Sequence, residues 1–184
     1  YSGGSYTISD NGKYAFTYGN VYNPADLAVG FNGSKNRLTK LNDDLFKYKS
    51  LGKVEEVWYS SSYDGKKIQG WLVYPPDFDP NKKYPLIIGV AGSRGWKKHH
   101  LEYINMYQKN GFATFELNSF KSRDISSTVG SQVEVTTAAI ILDAYRALEK
   151  LSDHPNIDSE RVGITGWSLG GGVTLFSGWG PVKN

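Results

Sequence analysis

Ser168 stands between two glycines in Gly166-Trp167-Ser168-Leu169-Gly170. Before it, Arg161-Val162-Gly163-Ile164-Thr165 reads as a short β-branched strand, and after it comes an apolar helix. In that strand–turn–helix context, Gly-x-Ser-x-Gly reads as a nucleophile elbow. The glycines Gly166 and Gly170 flank a turn too tight for Cβ atoms, which leaves the serine Oγ exposed above the sheet edge. The chemistry on offer is attack by a hydroxyl on an acyl carbon. It needs a base to take the proton and two backbone N–H groups aimed at the charge that develops on oxygen. Leu169, the residue after the serine, would give one of these donors. Gly92 or Ser93 would give the other, from Ala91-Gly92-Ser93-Arg94-Gly95-Trp96; the alternative reading of that stretch is an ordinary glycine-rich turn from strand to helix.

The remaining polar residues are less telling. The sixteen residues from Leu169 to Asn184 contain no Asp, Glu or His. His154 falls between a long helix and the elbow strand, where a capping role at a helix C-terminus is expected. His99 and His100 open a helix and read as a solvated loop or helix face. Arg94, Arg123 and Asp124 fall in loops at the carboxyl edge of the expected sheet, where α/β ligands bind; they read as solvated charges or as substrate contacts. No histidines and carboxylates show metal-ligand spacing, so no metal and no cofactor is expected. Gly170-Gly171-Gly172 lacks the Lys-Ser/Thr of a phosphate loop and the spacing of a dinucleotide fingerprint. It reads as small residues that let helix and strand approach closely.

The elements that must position Ser168 form two segments. Residues 1–50 hold short β-prone runs: Tyr6–Ile8, Tyr14–Tyr18 and Asp26–Phe31, with a fourth expected from Arg37. Turns are expected at Ser9-Asp10-Asn11-Gly12-Lys13 and at Asn32-Gly33. Strands this short suit a blade of a β-propeller, or a hairpin cap. In residues 51–184, Val54–Tyr59 and Ile68–Tyr74 flank Asp64-Gly65 as an antiparallel pair. The apolar run Leu86–Val90 reads as a strand buried on both faces. A helix over 97–109, a strand over 112–117, a helix over 133–151 and the strand at Val162 follow, with Pro155 and Asp158 in the last connection. Strand alternating with helix predicts an α/β fold with a parallel sheet, unfinished at the elbow helix and left with apolar surface for further sequence or another chain to cover.

Composition narrows the classes. With 21 Lys and Arg against 18 Asp and Glu, the formal charge is +3 and no basic block stands out, which gives no support to a nucleic-acid or membrane-surface role. There is no cysteine, hence no disulfide framework and no thiol nucleophile, although this does not decide the compartment. No apolar run approaches the roughly 20 residues that span a bilayer. The sequence opens at Tyr1 with no signal-like stretch and is expected to be a processed, excised or assembled piece.

These residues resemble the α/β-hydrolase superfamily, in two of its branches. Ser9–Lys13, Arg37–Asn42, Leu51–Glu56, Asp64–Trp71 and Pro75–Pro80 resemble a prolyl-oligopeptidase-family serine peptidase of the acylaminoacyl-peptidase kind, over roughly residues 5–90. Gly111–Phe115, Asn118–Phe120, Arg123–Gly130 and Gly166–Gly172 resemble a dienelactone-hydrolase-family protein. Both families usually begin the oxyanion loop with His-Gly, where this chain has Ala91-Gly92. The resemblance implies an incomplete α/β-hydrolase sheet after a propeller-like β segment, with Ser168 as nucleophile and the triad acid and histidine beyond residue 184. It implies a peptide or ester substrate, the peptidase being favoured and a dienelactone-hydrolase-like esterase or lactonase the alternative. From a different class, a degenerate hydrolase half acting as a non-catalytic interaction module is the third reading.

Overall fold

In the computed structural model, residues 4–179 are described. The chain divides between Leu51 and Gly52 into two units. The first holds β1 (Tyr6–Ile8), β2 (Tyr14–Asn20), β3 (Asn23–Phe31) and β4 (Ser34–Arg37), in an antiparallel sheet of order β1-β2-β3-β4. Asn32 and Gly33 both take positive φ, 48° and 80°, the backbone of a hairpin turn whose twist matches the flanking strands. The fourth strand precedes Arg37 rather than starting there, because that tight turn returns the chain at once onto β3. Arg37 then ends β4 with its guanidinium on Asp26, 2.6 Å from Nε to Oδ2. Asp26 is buried and also accepts from Thr39 Oγ1 at 2.8 Å and Leu41 N–H at 2.9 Å. A one-turn helix, α1 (Asp43–Phe46), follows.

The second unit is a five-stranded sheet in the order β5-β6-β8-β7-β9. The strands are β5 (Val54–Ser60), β6 (Lys67–Val73), β7 (Tyr84–Val90), β8 (Ala113–Leu117) and β9 (Ile157–Gly166). β5, β6 and β8 pair antiparallel; β8, β7 and β9 pair parallel. The helices α2 (Lys98–Lys109) and α3 (Thr137–Ser152) are the crossovers, and α4 (Leu169–Ser177) follows β9. Leu86, Ile88 and Val90 of β7 pack in one core with Leu72, Phe115, Ile140, Ala144 and Val173. Burial of such side chains, about 1.5–3 kcal/mol each, is the main force assembling the sheet.

Two boundaries differ from the sequence expectation. Helix α3 starts at Thr137 rather than Val133, because Thr136 caps it: its side chain accepts from Ala139 N–H at 3.1 Å. Strand β9 starts before Val162. Ile157 pairs with Tyr84, then Leu86 pairs with Val162, so Asp158–Arg161 bulge out opposite the single residue Pro85. Proline has no N–H to give to a ladder, and the excursion falls where that donor is missing. Asp158 thus lies within β9, closing the bulge on Arg161 Nε at 2.6 Å.

Candidate active site

From β7 the chain crosses to β8 on one flank, then back across to β9 on the other. Ligands of open α/β sheets bind at the carboxyl ends of strands at such a reversal. There Val90 faces Gly166, and Trp167 N–H donates to Val90 O at 3.3 Å. The loop after β7 and the turn after β9 are therefore neighbours.

Ser168 is the single residue between Trp167 and the first residue of α4, with φ 53° and ψ −115°. A non-glycine residue held there costs about 1–3 kcal/mol, and the surroundings must enforce it. Close packing does so. A Cβ on Gly166 would lie 2.1 Å from Gly170 O, and one on Gly170 would lie 2.2 Å from Val90 O. With no Cβ in either place, the first turn of α4 sits directly on the end of β7. Ser168 is exposed, and its side chain makes no capping hydrogen bond to the helix. Leu169 is the first residue of α4, where an N–H has no intrahelical acceptor.

Gly92 is buried beside this turn; a Cβ on it would lie 3.5 Å from Ser168 Cβ and 3.2 Å from Trp167 O. The loop holds its shape through Gly95 N–H on Gly92 O at 2.9 Å, and Thr128 N–H on Ser93 O at 2.8 Å. Gly92 and Leu169 thus flank the serine, and Ser93 lies one residue farther along the loop. An exposed hydroxyl at a helix N-terminus, with the Gly92 backbone close beside it, is an arrangement suited to acyl transfer. Among the described residues, no hydrogen bond joins Ser168 Oγ to a histidine, and no cluster of three or more His, Asp or Glu could hold a metal ion.

The histidines fall unlike one another. His99 is exposed, but His100 does not belong to a solvated face: it is 4% exposed. Its ring stacks on Trp167 at 4.7 Å and 19°, and Trp96 meets it edge-on at 6.0 Å. His100 Nδ1 accepts from Lys97 N–H at 3.2 Å, which leaves the proton of the neutral ring on Nε2. Burial, then the charges of His99 and Lys97, hold its pKa below the usual histidine value. No sequence signal marks this role, because Trp167 comes from a different part of the chain. His154 lies at the opposite end of the sheet, between Tyr74 OH and Glu55 Oε2, each at 3.1 Å.

Of the three loop charges, Arg94 and Asp124 are exposed, and Arg123 is neither solvated nor open to a ligand. Its side chain is 1% exposed and meets Asp143, which is 0% exposed, at 2.6 Å. It also reaches Asp64 in the β5–β6 turn at 2.8 Å and Ser119 O at 3.1 Å. Ser61 Oγ and Ser119 Oγ donate to the two oxygens of Asp143, at 2.6 and 2.7 Å. This lattice ties the leading hairpin and α3 to the loop after β8.

Comparison with known proteins adds the following. The family model described as acetyl xylan esterase (AXE1) matches residues 132–179. The chain is 27% identical over 157 residues to the uncharacterized peptidase YuxL of Bacillus subtilis, covering 82% of this chain and 24% of that protein. It is 25% identical over 147 residues to dipeptidyl-peptidase 5 of Porphyromonas gingivalis, covering 76% of this chain and 21% of that one. The acylaminoacyl peptidase structure from Pyrococcus horikoshii superposes with a TM-score of 0.60 at 23% identity, over 92% of this chain and 28% of that one. The chain thus spans about a quarter of the length of the curated relatives it matches. The shared fold is a mixed sheet of the α/β-hydrolase kind, preceded in the chain by a small β segment.

Proposed function

We propose that this chain, an α/β hydrolase in fold and similar to prolyl-oligopeptidase-family serine peptidases along most of its length, carries the nucleophile and oxyanion donors of a serine peptidase. Ser168 Oγ attacks the scissile carbonyl carbon, and its proton passes to a base from outside the described residues. The carbonyl oxygen, now an anion, accepts from Leu169 N–H and from Gly92 or Ser93 N–H. Collapse expels the amine as the base returns the proton, leaving the acyl group as an ester on Ser168 for water to remove. The supporting observation is the exposed hydroxyl on strained backbone, wedged where two strand ends meet. Likeness to peptidases covers 82% of this chain for one relative and 76% for another, which supports an amide over an ester. The esterase model over residues 132–179 supports ester cleavage as a second reading.

The base and its acid partner are assigned to further sequence or a second chain packing beyond β9, the edge of the sheet among the described residues. The test is fluorophosphonate labelling of the full-length protein, with Ser168→Ala as comparison. Labelling is expected in the wild type and none at this site in the variant; equal labelling of both would overturn the assignment. Aminoacyl-naphthylamides set against aryl esters then separate peptidase from esterase, by the ratio of kcat/KM values.

A further inference from the structure

We propose that His100 is a positioning residue, which walls the Gly92 peptide against the Ser168 elbow by stacking flat on Trp167. The inference rests on the hydrolase reading of Ser168 and adds to it what fixes the second oxyanion donor. The three heavy atoms nearest to the Cβ position of Gly92 belong to Trp167, Ser168 and His100, the last through Cε1 at 3.8 Å. Gly92 is therefore boxed by the elbow on one side and by the imidazole on the other.

The imidazole is itself locked from three directions. Trp167 covers its face, Trp96 closes on it at 74°, and Lys97 N–H binds its Nδ1. Trp96 is fixed in turn by Nε1–H on Leu117 O at 3.2 Å. The stack thus joins the last residue of β8, the first turn of α2 and the residue before the nucleophile. A donor that must sit within a few tenths of an ångström of the developing charge needs such a backing. A flat ring supplies it, whereas a branched side chain of similar volume cannot lie parallel to an indole 4.7 Å away.

His100 touches no reacting atom, so its effect belongs to the transition state rather than to substrate binding. The experiment uses the full-length protein and two variants, His100→Leu and His100→Phe. Each is titrated with a fluorophosphonate to count competent sites, and the labelling rate constant is then measured per competent site. For His100→Leu, that rate constant is expected to fall about ten-fold or more, with kcat falling and KM unchanged, since losing one donor outright costs about 10²–10³ in kcat. His100→Phe keeps the flat face and is expected to stay within about three-fold of wild type. A merely structural role would lower the count of competent sites in both variants and leave the rate per site alone. That result, or equal losses in the two variants, overturns the proposal while Ser168 stands. A wild type that takes no label at Ser168 overturns the hydrolase reading and this inference with it.

Discussion

Two corners of one sheet edge treat polar atoms in opposite ways. At the Arg123 corner a guanidinium and the Asp143 carboxylate are buried together, and two serine hydroxyls, a backbone carbonyl and Asp64 complete the bonding. At the Ser168 corner a hydroxyl is left exposed on backbone that only tight glycine packing can hold. The first corner holds the hairpin, helix and loop together. The second leaves a hydroxyl exposed, at a cost in stability. The group left open to solvent at this edge is therefore the neutral hydroxyl, not the group with the most charge.

Removing a member of each corner breaks the comparison most directly. Asp143→Ala leaves the Arg123 charge buried beside Asp64 alone, and breaking a buried pair costs about 3–5 kcal/mol. A urea midpoint lowered by that free energy divided by the slope, with the slope unchanged, is the expected result. Gly170→Ala drives a methyl into Val90 O and Ala91 O, at 2.2 and 2.7 Å. Overpacking of this kind costs about 1–3 kcal/mol, and labelling at Ser168 should fall with it. Ser168→Gly has the opposite sign: it relieves the positive φ and should raise stability by about 1 kcal/mol in the same melt while abolishing labelling. A loss of stability in that variant would remove the contrast.

Acid should undo the two corners in separate pH windows. His100 has its folded pKa held below the ordinary 6.5, by burial and then by His99 and Lys97. The unfolded chain therefore takes up its proton first, and the stability tied to the neutral ring, full above 6.5, is lost as pH falls through the folded value. Asp64 has its pKa lowered from 3.8 chiefly by the Arg123 hydrogen bond. Its contribution is full above 3.8 and goes only as pH falls through a still lower folded value. Labelling rate and the His100 share of stability should therefore decline together in mild acid, with the Asp64 share lost only at lower pH. Asp64→Asn should remove only the lower step. The smallest expected effect is Arg94→Ala: the side chain is exposed and the change should stay within about 0.5 kcal/mol.

The same contrast explains what was legible in the sequence. The elbow is written in five consecutive residues, and its glycines declare both the sharp turn and the close approach of helix to strand. The order of strands and helices in the second unit was readable for a similar reason, since period and turn residues act over short spans. The lattice draws Ser61, Asp64, Ser119, Arg123 and Asp143 from separate elements, so Arg123 reads as a loop charge until the fold brings Asp143 to it. His100 reads as solvated in the sequence because the ring that stacks on it, Trp167, arrives only after β9. The helix start reads as Val133 because the apolar spacing from Ala138 onward does not mark the first turn, whereas Thr136 sets it by accepting from Ala139 N–H.

The four-residue bulge opposite Pro85 has a consequence for how this chain can vary. It separates the entry into β9 from the stretch Val162–Gly166 that delivers Ser168. Residues gained or lost within Asp158–Arg161 would change only the size of the loop that leaves the ladder. The alignment of Leu86–Val90 with the strand beside it would stay as it is. The length of this surface loop can drift without moving the serine.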